Sequence, residues 1–177
     1  LQGCVEMSSK MDEVLQKAVR LVEPSASEAK RIQKVADTAL EMVRSEAKKS
    51  PLKPEVVLGG SFAKGTWLKG EADIDLFIKF SENSAEDVLE KEGISLALRA
   101  MDRHKPTLRY AEHPYVEAFV HGVRVNVVPC FDVSKGRWRS AADRSPYHTA
   151  LIIQTFDDSL RREARLLKKF LKGLGVY

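Results

Sequence analysis

Apolar residues return every three or four positions from Met11 to about Val22 (Met11, Val14, Leu15, Ala18, Val19, Val22), a spacing that predicts a helix. A second helix is expected to run to about Lys48, capped by Ser25 or Ser27, with Ile32, Val35, Ala36, Ala39, Leu40 and Val43 as its buried stripe. Pro51 and Pro54 end that run, and Val56-Val57-Leu58 then reads as a short strand closed by Gly59-Gly60. From Asp73 to Phe80 the period changes to two, with Ile74, Leu76, Ile78 and Phe80 on one face and Asp73, Asp75, Phe77 and Lys79 on the other. This is a strand with an acidic end. Ser84-Ala85-Glu86-Asp87 is a variant capping box that predicts a helix to about Met101. Strands follow at Leu108–Ala111, Val116–Val120 and Val123–Val128, the last two joined by a tight turn at His121-Gly122, and the remainder is helical and basic as far as Gly173. The order indicates an α+β fold, a mixed, mostly antiparallel sheet covered by helices.

Composition narrows the class. With 177 residues, 44% hydrophobic and 31% charged, the chain fits one globular domain with a sizeable core. No apolar run approaches the roughly 20 residues of a membrane span, and no basic-then-apolar leader opens the chain, so a cytoplasmic protein without a membrane partner is expected. Leu1 to Ser9 begin without an initiator Met, and residues 1–10 are set apart as a remnant or leader, with Met7 or Met11 as candidate starts and 11–177 as the domain. Cys4 and Cys130 lie far apart with no metal-ligand spacing, which argues against a disulfide framework or a zinc site. The net charge of +4 is unevenly spread: Lys135 to Tyr177 holds ten Lys or Arg against four Asp or Glu. That asymmetry suits a polyanion, although a solvated helix face also collects Lys and Arg.

The chemistry sits between residues 58 and 77. Gly59 and Gly60 let backbone approach a phosphate, amides around Ser61 point at anionic oxygens where a helix begins, and Ser61 and Lys64 add a hydroxyl and a charge. Asp73 and Asp75 follow on an alternating strand, so both carboxylates share one face and can grip a divalent ion. Unpaired, they would repel each other and mark only a solvated strand end. Two ions would activate an attacking hydroxyl and stabilise a leaving pyrophosphate, chemistry that normally wants a third carboxylate.

The stretch Gly59 to Phe77 resembles the archaeal, class I CCA-adding enzymes, as do Arg109-Tyr110-Ala111-Glu112-His113-Pro114-Tyr115-Val116, Val125-Asn126-Val127-Val128-Pro129-Cys130-Phe131, Ala142-Asp143-Arg144-Ser145-Pro146-Tyr147-His148 and Arg165-Leu166-Leu167-Lys168. The likeness covers nearly everything from Met11 to Tyr177. It implies a polymerase β-like nucleotidyltransferase domain that adds C, C and A to the 3′ end of tRNA from CTP and ATP with magnesium. By position, it implies Asp73 and Asp75 as metal ligands, Gly60, Ser61 and Lys64 at the triphosphate, and Ser145, His148, Lys168 and Tyr177 at the incoming nucleotide. Lys64 stands where the family usually has Arg, a point charge in place of a bidentate contact. His113 would sit near the site, a role it shares with a structural place before Pro114.

Two departures qualify that expectation. Where the family pattern reads Val-Asp-Val-Val-Pro-Cys, this chain has Asn126, which keeps the size of Asp but carries no charge and cannot act as a base. Transfer is therefore expected to be severely reduced, with nucleotide and one metal still bound. Family members also continue past the equivalent of Tyr177 into tRNA-holding domains, so a catalytic-domain piece or a naturally minimal protein, with weak tRNA affinity and poor base discrimination, is expected. The alternatives are a 2′-5′ oligoadenylate synthetase-like nucleotidyltransferase and a non-catalytic nucleotide- or RNA-binding module.

Overall fold

In a computed structural model of the chain, residues 2–85 and 87–176 are described, with side chains from residue 10 onward. Helix α1 (Gln2–Val22) starts well before the expected Met11, and of its apolar stripe Val22 is buried whereas Met11, Val14 and Leu15 are exposed. Ser25 is the cap of α2 (Ala26–Ala47), its Oγ accepting from Glu28 N at 3.1 Å. The predicted stripe is buried at Ile32, Val35, Ala36, Ala39 and Val43, with Leu40 half-buried.

Strand β1 (Glu55–Gly59) runs into one turn of helix, α3 (Gly60–Ala63), and β2 (Asp73–Ser81) follows. The helix expected from Ser84 starts later and differently: Val88 leads into a π-helical turn, Leu89–Gly93, and only then α4 (Ile94–Met101). Ser84 makes a turn back to Ser81 O, and Glu86 of the expected box lies outside the described residues. The cause is packing: a Cβ on Gly93 would lie 2.6 Å from Pro129 Cβ, so the wide turn presses its backbone against the sheet.

Strands β3 (Thr107–Tyr110), β4 (Pro114–Val120) and β5 (Val123–Asp132) complete a five-stranded sheet in the order β1-β2-β5-β4-β3. All neighbours are antiparallel except β2 and β5, which run parallel. His121 and Gly122 both have positive φ (49° and 76°), the left-handed pair that a two-residue hairpin needs. β5 continues past the expected end at Val128, through Pro129 to Asp132. Pairing with β4 stops at Val127, so Pro129 lies where β5 has β2 alone beside it and the missing N–H breaks no ladder.

Helices α2 and α4 cover the apolar face carrying Ile74, Leu76, Ile78 and Phe80, all fully buried. Helix α5 (Ala141–Thr155) packs on β5 and β1, and α6 (Asp158–Gly173) lies against α1. The acidic face of β2 is thus left for the site. No described helix is long and apolar enough to cross a membrane.

Candidate active site

Gly60 opens α3 with φ +67°, a left-handed conformation that favours glycine, and a Cβ built there would lie 1.7 Å from Asp75 Oδ2. The glycine turn and the second aspartate are therefore in direct contact. Gly59 is equally constrained, since its Cβ would fall 2.4 Å from the Phe77 ring. Ser61 lies within α3 and Lys64 caps it.

The parallel register sets Asp73 opposite Arg124 and Asp75 opposite Asn126. Each carboxylate has a partner there. Arg124 Nε and Nη2 donate to the two oxygens of Asp73 at 2.9 and 2.5 Å, and Asn126 Nδ2 donates to Asp75 Oδ1 at 2.9 Å. Burial pushes the Asp75 carboxyl above the usual carboxylate range and the charge of Asp73 adds to this, while the Asn126 bond and Lys64 pull the other way. Asn126 Oδ1 is buried without a hydrogen-bond partner.

A cavity of about 260 Å³ opens onto this pair, lined among others by Asp75, Asn126, Glu112, His113, Tyr115 and Ser145. His113, expected near the site, is in it. Ser145 reaches it from the first turns of α5, its Oγ donating to Ala141 O at 2.9 Å. Asp143 aims that helix: its buried carboxylate accepts from Phe131 N (2.7 Å), Arg139 N (3.0 Å) and Ser140 N (3.1 Å), completing a capping box with Ser140.

Lys168 does not reach the cavity. It donates to Thr66 O at 3.1 Å in the loop after α3, where burial holds its ammonium below the usual lysine range and nearby Lys64 adds to the effect. Arg165 binds the same loop through Trp67 O and Gly65 O, so α6 clamps the segment that shapes the glycine turn. His148 is exposed and packs edge-on to Trp138 at 6.2 Å, away from the cavity lining. Tyr177 lies outside the described residues.

Arg124, Glu117, Glu112 and Asp143 were not singled out by sequence reasoning. Arg124 stands two positions before Asn126 and so shares its face, a signal that becomes usable once the β2–β5 pairing is known. Glu117 is buried opposite Asn126 on β4, held by Arg109 Nε and Nη2 at 3.0 and 2.8 Å.

Among the described residues no three His, Cys, Asp or Glu side chains converge to hold a metal. The donor set that remains is Asp73, Asp75 and the orphaned amide oxygen of Asn126, all oxygen and suited to one hard divalent ion. It does not supply the third negative charge of a two-ion site.

Residues 37–148 match the sequence profile of the nucleotidyltransferase domain. The chain is 37% identical over 166 residues to the CCA-adding enzyme of Halobacterium salinarum, an alignment covering 93% of this chain and 36% of that enzyme. The CCA-adding enzyme of Pyrobaculum islandicum is also 37% identical, with 96% of this chain and 40% of the relative covered. The chain thus spans little more than a third of the length of the curated relatives it matches. In three dimensions it superposes on a chain of the E. coli MS115-1 CdnC:HORMA-deltaN complex with a TM-score of 0.68 at 17% identity, over 92% of this chain and 56% of the other, a likeness of fold. Glycine turn, paired aspartates, parallel β2–β5 crossover and sequence profile agree: the chain belongs to the nucleotidyltransferase domain family, and its sequence relatives include the archaeal CCA-adding enzymes.

Proposed function

We propose that this chain is the catalytic portion of a CCA-adding tRNA nucleotidyltransferase, built to take CTP and ATP with magnesium and weakened at its third carboxylate position. Nucleotidyltransferases of this family generally use divalent metals. The observation that carries the reading is the junction of Gly60 with Asp75, where the turn expected to hold triphosphate and a carboxylate expected to hold the ion touch with no room for a Cβ. Lys64 and Lys168 supply positive charge beside that turn.

In this reading Asp73, Asp75 and Asn126 would hold the ion and the backbone of Gly60 and Ser61 would cradle phosphate. Magnesium, when bound, would lower the pKa of the attacking hydroxyl and neutralise charge on the triphosphate. Ser145 and His113, in the cavity wall, border the space open to the nucleotide or the RNA end. Asn126 accepts no proton and adds no negative charge, so the 3′-hydroxyl of the acceptor lacks the group that would draw its proton away.

The test is Asn126→Asp, assayed with CTP, ATP and magnesium on tRNA lacking its terminal CCA, both in this chain and in a fusion to the remainder of an archaeal relative. Transfer by the Asn126→Asp fusion well above that of the unaltered fusion is expected. Oligoadenylate made from ATP alone would point to the 2′-5′ oligoadenylate synthetase-like alternative. Nucleotide binding with no transfer from either fusion would favour the non-catalytic module, a reading supported by the pairing of both aspartates with donors of this chain's own.

A further inference from the structure

The face of the sheet that carries the site is a row of alternating charges. Asp73 on β2 meets Arg124 on β5; Arg124 Nη1 is 4.0 Å from Glu117 Oε2 on β4; and Glu117 Oε1 is held by Arg109 on β3. Four strands each contribute one member: Asp73 and Arg124 are direct register partners, while Arg124–Glu117 and Glu117–Arg109 are diagonal neighbours on the same face. Arg124 is thus hydrogen-bonded to Asp73 on one side and faces the Glu117 carboxylate on the other. Its planar fork engages both oxygens of Asp73, an arrangement that a lysine would not reproduce.

An ion bridging Asp73 and Asp75 needs an oxygen from each. Asp75 gives up only a neutral amide donor when it turns to a cation, and the orphaned Asn126 Oδ1 is already beside it. Asp73 must give up a guanidinium. We propose that Arg124 is a resident cation of this site, competing with the divalent ion for Asp73, so that metal enters only when the Arg124–Asp73 fork opens. The proposal rests on the reading of Asp73 and Asp75 as metal ligands. It gives the chain a second feature that acts in the same direction as Asn126: Asn126 brings no negative charge to the site and Arg124 supplies a fixed positive one.

The experiment is manganese binding to the full 177-residue chain, followed by the electron paramagnetic resonance signal of free Mn2+ without nucleotide or RNA. Arg124→Gln should bind Mn2+ about fivefold to tenfold more tightly than the unaltered chain, the scale of an ion pair half open to solvent together with one removed positive charge. Arg124→Lys, which keeps the charge and loses the fork, should fall between them and serves if the Gln variant unfolds. Adding Asp73→Asn to Arg124→Gln should erase the gain. Equal affinity in the unaltered chain and both Arg124 variants, with Asn126→Asp binding more tightly, would overturn the proposal and leave the metal reading standing. Absence of Mn2+ binding even in Arg124→Gln combined with Asn126→Asp would overturn both.

Discussion

Asn126 lies directly across the parallel β2–β5 pair from Asp75 and donates its amide N–H to that carboxylate at 2.9 Å. A carboxylate at position 126 would turn this bond into a repulsion. Asn126→Asp should therefore destabilise the metal-free domain by about 1.5–3 kcal/mol, the worth of a charge-assisted hydrogen bond. For a chain of this size that corresponds to a fall in Tm of roughly 2–4 °C per kcal/mol. Magnesium should return most of the loss, because an ion between the carboxylates replaces the missing donor. Thermal melts with EDTA and with magnesium check this, and a variant as stable as the parent in EDTA would contradict it.

Gly60→Ala should be more damaging than Gly122→Ala although both positions have positive φ. At Gly122 nothing lies within 4 Å of an added Cβ, so only the backbone strain of about 1–3 kcal/mol applies. At Gly60 the methyl meets Asp75 Oδ2 at 1.7 Å, so the carboxylate must leave its place as well. Nucleotide titration followed by fluorescence should show binding lost in the Gly60 variant and kept in the Gly122 variant. Equal affinities would separate the glycine turn from the ligand site.

Much of this arrangement is legible along the chain. Alternation from Asp73 to Phe80 fixes which residues face the core and which the site, and burial at Ile74, Leu76, Ile78 and Phe80 follows it. The pairing is not legible: β2 finds its parallel neighbour 51 positions on, past two other strands, and no local pattern shows that Arg124 will face Asp73. His148 stands three positions after Ser145 and would share its helix face, yet Trp138 and Tyr147 draw the imidazole into an aromatic cluster. The helix expected from Ser84 does end at Met101, but its later start and π-helical first turn are hidden for the same kind of reason, since the contact of Gly93 with Pro129 joins distant segments.

Asp143 holds three backbone N–H groups at the point where β5 hands over to α5. Asp143→Ala leaves buried donors at Phe131 and Ser140 without a partner and dissolves the capping box, at a cost of about 3 kcal/mol. Because α5 carries Ser145 into the cavity, nucleotide affinity should fall along with stability. Urea melts report the first and ligand titration under folding conditions the second. A variant within about 0.5 kcal/mol of the parent would show that the helix is oriented by other contacts.

Cys130 gives a readout of the same region that is independent of any ligand. Its side chain is fully buried on β5, and burial, with the charge of Asp143 adding to it, pushes the thiol up to about 12. The thiolate is the reactive form, so in a Cys4→Ser variant the native protein should consume no thiol reagent at pH 8 and take up one equivalent once denatured. The sign of the stability effect follows from the raised folded value. Below the ordinary thiol range of about 9 the group is neutral in both states, and between there and about 12 only the unfolded chain releases its proton. Stability should thus fall as pH rises through that interval, and Cys130→Ala, at whatever stability it starts from, should show a shallower alkaline decline. Urea midpoints measured from pH 8 to pH 11 on the Cys4→Ser background compare the two slopes directly, and parallel slopes would mean that the thiol is open to solvent in the folded state.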